Sequence, residues 1–390
     1  MFLTRRPTPR LLPLMLALGT AFCASAQAQS LVDLYTAAQS YDATYQSAKL
    51  QFDASLAKAD QAQAAILPTA NLNVSSSRTN QEIVNAVTTN YGTQTSTLSA
   101  SQPLYRPANW ASYEQGKKSI DLAQAQLVQA EQDLIVRVSQ AYFDVLAATD
   151  TLTFVQAQKK AVAEQLAAAK RNFEVGTSTI TDSREAQAKY DLVIAQELAA
   201  NNDLQVKSLA LSQLVGRANA QPKPVKQPLD LPSVTPADMN QWVETSQAQS
   251  PAVQQATLAL EVAQLETRKA QAGHKPTLDL TGSYSAINNN GTSSSAADSR
   301  ANVATVGLSF NLPLFAGFAT QNRIKETLAL EDKAQSDLEN AKRNVAQGTR
   351  TAFLGVQSGM AQVAALQAAE TSSQSALEAN QLGYQVGVRI

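Results

Sequence analysis

From Lys117 to Val175 the chain has neither glycine nor proline, and its apolar positions keep a strict seven-residue rhythm. Ile120, Leu127, Leu134, Ala141, Ala148, Val155, Val162 and Ala169 mark one line of the repeat. Val138, Val145, Leu152, Leu166 and Phe173 mark a second, interrupted by Gln124, Glu131 and Lys159. At about 1.5 Å per residue this stretch makes one helix of roughly 90 Å. A heptad sustained over so many turns keeps its seam against a partner only through left-handed supercoiling. The remaining positions are Gln, Lys, Glu and Asp, so the helix packs lengthwise on other helices and does not span a bilayer.

Other stretches change period. Residues 31–65 read as a first helix, stopped by Pro68. Residues 71–77 alternate, with Leu72 and Val74 opposite Asn71, Asn73 and Ser75, which predicts a half-buried strand. Residues 78–94 are polar and read as a loop. Residues 95–104 alternate again through Leu98, Ala100 and Leu104. The long helix is expected over 109–175, with Gly176 as a left-handed C-cap. A turn leads to a helix over 183–215, where Asp182 and Glu185 have capping-box spacing. Five prolines between Gln221 and Pro236 mark 217–240 as a linker.

The pattern then repeats. A helix from Trp242 to about Gly273 answers the first. Lys275-Pro276-Thr277 answers Leu67-Pro68-Thr69, and strands are predicted at 277–285 and 303–312 around a polar loop at 287–302. Leu312-Pro313-Leu314-Phe315 answers Gln102-Pro103-Leu104-Tyr105. A second long helix is expected over 321–382, weakened by Gly348, Gly355 and Gly359. Gly383-Tyr384-Gln385-Val386-Gly387 answers Asn172-Phe173-Glu174-Val175-Gly176. The domains are therefore a first repeat at 29–216 and a second at 241–390. The chain stops three residues after Gly387, where the first repeat still has a turn and a helix to run, so a C-terminally truncated second repeat is expected.

The N-terminus adds a location. Arg5, Arg6 and Arg10 precede an apolar run from Leu11 to Phe22, and Ala26-Gln27-Ala28 is an A-x-A cleavage site. Residues 1–28 read as a signal peptide. Cys23 follows Phe22, where lipid attachment needs a small residue, so it leaves with the signal. The mature chain has no cysteine and hence no disulfide or thiolate site. Loss of three arginines and no acid takes the formal charge from −1 to −4, which argues against a nucleic-acid surface. His274, the only histidine, cannot build a metal site alone. No phosphate loop, nucleophile elbow or carboxylate pair stands out, so no enzyme, cofactor or metal centre is expected.

Two hairpins give four strands, too few to close a barrel, and an open edge cannot sit in lipid. Several copies would have to pool strands; a small soluble sheet capping a coiled coil fits the alternation equally well. A resemblance separates the two. The exported N-terminus, the duplicated Pro-Thr strand starts, the two strand-to-helix corners and the helix tips Phe173-Glu174-Val175-Gly176 and Tyr384-Gln385-Val386-Gly387-Val388-Arg389 resemble the TolC family of outer-membrane efflux and type I secretion channels. The resemblance covers essentially all of the mature chain.

It implies a mostly α fold with membrane β. Three chains form a long coiled-coil α-barrel in the periplasm and pool their strands into one twelve-stranded β-barrel among outer-membrane lipid. It also implies passive export of drugs or secreted proteins, driven by an inner-membrane transporter through a periplasmic adaptor protein. A polar network closing the periplasmic end carries over to Thr181 and Asp182 in the first turn and to Tyr384 and Arg389 in the second, beside the turn glycines Gly176 and Gly387. The family acids that narrow the pore lie beyond this last turn. Two other readings stand beside it. One is a metal-ion efflux duct of the same fold, often lipidated, which the Phe22-Cys23 context disfavours. The other is a secreted coiled-coil scaffold without channel activity.

Overall fold

The computed structural model of the protein describes residues 28–82, 88–226 and 231–387, apart from the side chains of Tyr384 and Gln385. Cys23, nearly all of the signal segment, and Arg389 lie outside the described residues. In chain order the elements are α1 (Leu31–Tyr41), α2 (Ala43–Ala64), β1 (Thr69–Gln81), β2 (Thr89–Tyr105), α3 (Pro107–Glu174), α4 (Ile180–Val215), α5 (Met239–Gln249), α6 (Pro251–Gln271), β3 (Thr277–Asn290), β4 (Asp298–Asn311) and α7 (Ala319–Gln385). A single 3-10 turn, Ala272–His274, follows α6. The chain divides into two compact units, residues 1–46 with 130–230 and residues 47–129 with 231–390.

In the first unit the heptad seam of α3 is covered. Leu134 and Val138 are fully buried, with Tyr142 and Val145 nearly so, against Leu34, Ala37 and Ala38 of α1 and Leu211 and Val215 of α4. Each such Leu or Val contributes about 1.5–3 kcal/mol relative to exposure. The Tyr142 hydroxyl donates to the Lys223 carbonyl at 2.7 Å. Gln29 and Lys223 pair backbone to backbone, which ties the start of α1 to the proline-rich segment. Farther along, Lys159 and Glu197 meet at 2.6 Å between α3 and α4.

The second unit holds the sheet, α2, the first turns of α3, and α5, α6 and α7. The strand order is β1-β2-β3-β4, all antiparallel. Pro107, which lacks an N–H, opens α3, and the Arg106 carbonyl accepts from Asn109 and Trp110. Gly116 lets α3 approach α2; a Cβ there would sit 3.0 Å from the Ala62 methyl. Glu266 of α6 accepts from Gln115 of α3 at 3.1 Å and pairs with Arg323 of α7 at 2.7 Å.

Several boundaries differ from the sequence expectation. The single leading helices are each broken. Asp42 is extended (ψ 116°), its N–H returns to Ala38, and its carboxylate accepts from the Tyr45 N–H at 2.8 Å, so α1 ends and α2 begins on one residue. In the second repeat Ser250 is extended (ψ 128°) because Pro251 disfavours a helical residue before it. The linker assigned to 217–240 ends earlier, since α5 starts at Met239. The strands are longer than expected at all outer ends. Residues 78–81, 89–94, 287–290 and 298–302 belong to the ladder, not to loops. Apart from Tyr91, Ile287 and Ala301 their side chains are polar on both faces, or absent at Gly92, which erases alternation while leaving backbone pairing intact. Pro103 does not end β2, which runs to Tyr105 across a register shift.

Candidate functional site

Cross-strand register aligns the alternating side chains into two surfaces. One row reads Leu72–Leu98–Tyr284–Ala304 across all four strands, and neighbouring rows add Val74, Ala100, Leu280, Val306, Leu308 and Phe310. This face is open to the outside: Val306 is 81% and Leu72 70% exposed. The other face carries Asn71, Asn73, Thr97, Ser99, Thr281, Ser283 and Ser309, with Ile287 and Val303 as apolar exceptions. Thr97 and Ser285 hydroxyls lie 2.9 Å apart on it. Such a sheet suits lipid on one side and water on the other. Among the described residues β1 pairs only with β2, and β4 only with β3, so both outer edges offer unpaired backbone groups.

At the strand-to-helix corner Arg106 forks onto Asp279 of β3, with Nε to Oδ1 at 2.7 Å. Asp279 is nearly buried and belongs to the polar face. This pair escaped the sequence reading, although a signal was present. Arg106 is the only base between Arg78 and Lys117, and Asp279 the only acid between Glu266 and Asp298.

The tip between α3 and α4 is built locally. Gly176 takes φ +78°, and the Thr177 N–H reaches back to the Asn172 carbonyl at 2.8 Å, closing α3 as a left-handed cap. Thr179, not Asp182, is the N-cap of α4. The Asp182 N–H donates to Thr179 Oγ1 at 3.2 Å, and Asp182 Oδ2 accepts from the Thr179 N–H at 2.8 Å and from its hydroxyl at 2.8 Å. The box spacing thus runs from Thr179 to Asp182, and Glu185 takes no part. These bonds from Thr179 hold the Asp182 carboxyl below the usual carboxylate range. Only one of its oxygens is engaged by the box. Thr181 and Asp182 are both exposed in the first turn of α4. Gly387 is left-handed (φ +73°) after α7, and the Val386 N–H donates to Leu382. The Tyr384 side chain and Arg389 lie outside the described residues, so the four expected gate residues are not brought together here.

The family model for outer membrane efflux proteins matches residues 34–217 and 242–389. The chain is 32% identical to the outer membrane protein TolC of Vibrio cholerae serotype O1, over 97% of this chain and 86% of that one. It is 28% identical to the proteases secretion protein PrtF of Dickeya chrysanthemi, over 94% and 81%. The crystal structure of the outer membrane protein VceC from Vibrio cholerae superposes with a TM-score of 0.77 at 18% identity, over 92% of this chain and 87% of that one. Fold and similarity define an outer-membrane channel protein of the efflux and secretion class, mostly helical with four antiparallel strands. The chain belongs to the outer membrane efflux protein family. Its place is the outer membrane, and the family is one of transport channels. The readings as a scaffold without channel activity and as a metal-ion duct are not favoured.

Proposed function

We propose that three copies pool β1–β4 into one twelve-stranded barrel and form a passive conduit for drugs or secreted proteins. The observation that carries this is the sheet with one apolar face and two unpaired edges. No described helix is long and apolar enough to cross a membrane. In lipid an unpaired strand edge is costly, and pairing β4 of one copy with β1 of the next removes every edge. The duplicated organisation into repeats at 29–216 and 241–390 places two hairpins per copy around that ring. Long polar helices continue the duct into the periplasm, where an adaptor protein and an inner-membrane transporter supply energy. The relatives named for protease secretion and for TolC support this partnership.

The test is cysteine scanning of β4 with a lipid-soluble label. The mature chain has no cysteine of its own, so the background is clean. Val306, Leu308 and Phe310 are expected to label, with Gly307 and Ser309 spared. Uniform labelling overturns the barrel.

The same reading places a closing network at the periplasmic tips, with Thr181, Asp182, Tyr384 and Arg389 around the pore beside Gly176 and Gly387. Oδ1 of Asp182 supports it, because the capping box engages only Oδ2 and no bond to Oδ1 is formed among the described residues. Asp182→Asn keeps a box acceptor and removes the charge; Arg389→Ser removes the cation. Both are expected to raise resting conductance in planar bilayers. Closed-level conductance in both reduces Asp182 to a capping residue.

A further inference from the structure

The four strands carry only four ionisable side chains besides tyrosine: Arg78, Asp279, Asp298 and Arg300. Asp279 is consumed by Arg106 on the polar face. The other three share the parity of Leu72, Val306 and Phe310, and so lie on the apolar face, beyond its apolar rows. The last row with apolar members is Val74–Ser96–Ala286–Asn302. The next is Ser76–Gln94–Asn288–Arg300, and the next Arg78–Gly92–Asn290–Asp298. At two residues per row, Arg300 stands about 7 Å and Arg78 about 14 Å past the apolar band along the strands.

Both guanidinium groups are exposed. Arg78 Nε donates to Asn90 Oδ1 at 3.1 Å, which holds that side chain on this face and does not use its terminal nitrogens. Among the described residues neither arginine has a carboxylate within salt-bridge distance, Asp298 included. At the opposite border this face carries Tyr105 and Phe310, while the Arg106–Asp279 pair there belongs to the polar face. The hairpin-end border thus holds two arginines and one aspartate, an excess of one positive charge per copy, and the opposite border of this face is aromatic.

We propose that Arg78 and Arg300 bind the phosphate monoester of a phosphorylated glycolipid in the outer leaflet. The inference rests on the barrel reading above, which puts the hairpin ends at the outer surface. Arginine presents a planar fork that matches phosphate with two parallel N–H···O bonds. A lipid phosphate is fixed at the headgroup level, just past the acyl region, where these rows lie. The two arginines occupy the two edge strands. Pairing β4 of one copy with β1 of the next brings one of each to every seam between copies, so the lipid would bridge neighbours there. Asn288, Asn290 and Gln94 on the same rows supply neutral donors for sugar and phosphate oxygens.

The test is native mass spectrometry of the purified protein in mild detergent with diphosphoryl lipid A, its dephosphorylated form, or inorganic phosphate. The expected result is at least five-fold greater retention of the phosphorylated lipid. The R78Q/R300Q double variant should lose that preference, while Arg350→Gln on α7 keeps it. Equal retention of both lipids by the unaltered protein overturns the proposal, as does an unchanged preference in the double variant. Tight binding of inorganic phosphate at the same arginines makes this a free-anion site and also overturns it. Folding of the double variant is checked by its oligomer band on unheated gels. If β4 labelling alternates and the phosphate preference is absent, only this inference falls; if the alternation is absent, the barrel falls with it.

Discussion

The two repeats reach the same architecture with different chemistry. Each breaks its leading helix after eleven residues, at Asp42 and at Ser250. The first break is electrostatic. Arg137 of α3 forks onto Asp42 with both bonds at 2.9 Å, and Asp42 also caps α2. The second carries a covalent feature instead, Pro251, between the buried Val243 and Val253, and its contacts among the described residues include a neutral bond from Thr349 Oγ1 to Ser246 Oγ at 2.8 Å. The strand-to-helix corners differ in the same way. The first turns on Arg106 alone and pairs it with Asp279; the second has Ala316 at the equivalent place, then Gly317 and Phe318, both left-handed. The equivalent of Asp279 is Asn71. Repeats of one fold can therefore carry unequal sensitivity to charge and pH.

The largest expected effect follows from this contrast. Arg137→Ala leaves the nearly buried Asp42 carboxylate without its partner, which should cost about 2–4 kcal/mol, discounted because Arg137 is partly exposed. Hydrogen bonds from Arg137 hold the Asp42 carboxyl below its ordinary value against the opposing effect of burial. A depressed folded value means the stabilisation is complete above the unfolded value of about 3.9 and is lost as pH falls through the lower folded value. The stability gap between the unaltered protein and Arg137→Ala should thus be constant near neutrality and shrink below about pH 4. Denaturant titrations at several pH values check it; a gap independent of pH removes the electrostatic account of the first break.

The corner pair comes next. Asp279→Asn should cost about 1–3 kcal/mol, because the amide nitrogen cannot accept and one fork bond is lost, but Arg106 can still reach water. In the proposed barrel, where the second corner would meet β1 of the next copy, the matching N71D/A316R double substitution adds a candidate pair. It should raise the temperature at which the oligomer dissociates on gels, while neither single change does. Absence of any rise shows that the seam between copies does not mirror the junction of β2 with β3.

A smaller effect is expected at Gly216, which ends α4 with φ +67° and lies under the ring of Tyr41, the residue before the first break. A Cβ there would come within 2.4 Å of the Tyr41 ring. Tyr41 is 59% exposed and can swing away, so Gly216→Ala should cost about 1–2 kcal/mol, much of it from the left-handed backbone. In a Tyr41→Ala background the same change should cost less, and strict additivity in the cycle denies the contact.

What the sequence disclosed follows from where period carries information. The seam of α3 was legible because Leu134, Val138, Val145 and Leu166 repeat over many turns, and all are buried. The lower strands were legible because Leu72, Leu98 and Leu308 alternate with hydroxyl and amide residues. The upper strand ends were not, since Ser, Thr and Asn on both faces look like loop while the backbone ladder continues. The break at Asp42 was hidden because an acid in a polar helix is unremarked until its partner, Arg137, is known from across ninety-five positions. Pro251 was visible in the sequence, inside the stretch from Trp242 to about Gly273 that reads as one helix, and it marks a helix start there. At the tip, Thr179 and Asp182 fit the box as well as Asp182 and Glu185 did, and only the backbone at Thr179 (ψ 159°) selects between them.

The smallest effect belongs to the covalent break, and it sharpens the comparison most. Pro251 occupies the first position of α6, where the missing N–H has no helical partner to lose. Ser250 keeps its own N–H bond to the Ser246 carbonyl at 2.9 Å, so replacing the proline removes no hydrogen bond. Pro251→Ala loses the restriction that proline places on the unfolded chain, about 0.4–1 kcal/mol, together with some packing of a buried ring. It also frees Ser250 to become helical, which would straighten α5 into α6. Hydrogen exchange at the amides after Ser250 reads both outcomes. The expected result is a loss of about 1 kcal/mol with the break retained, because Val243 and Val253 on either side are both buried and fix the bend by packing. A loss as large as that of Arg137→Ala would show that proline, and not packing, makes the second break, and that the two repeats depend equally on a single residue.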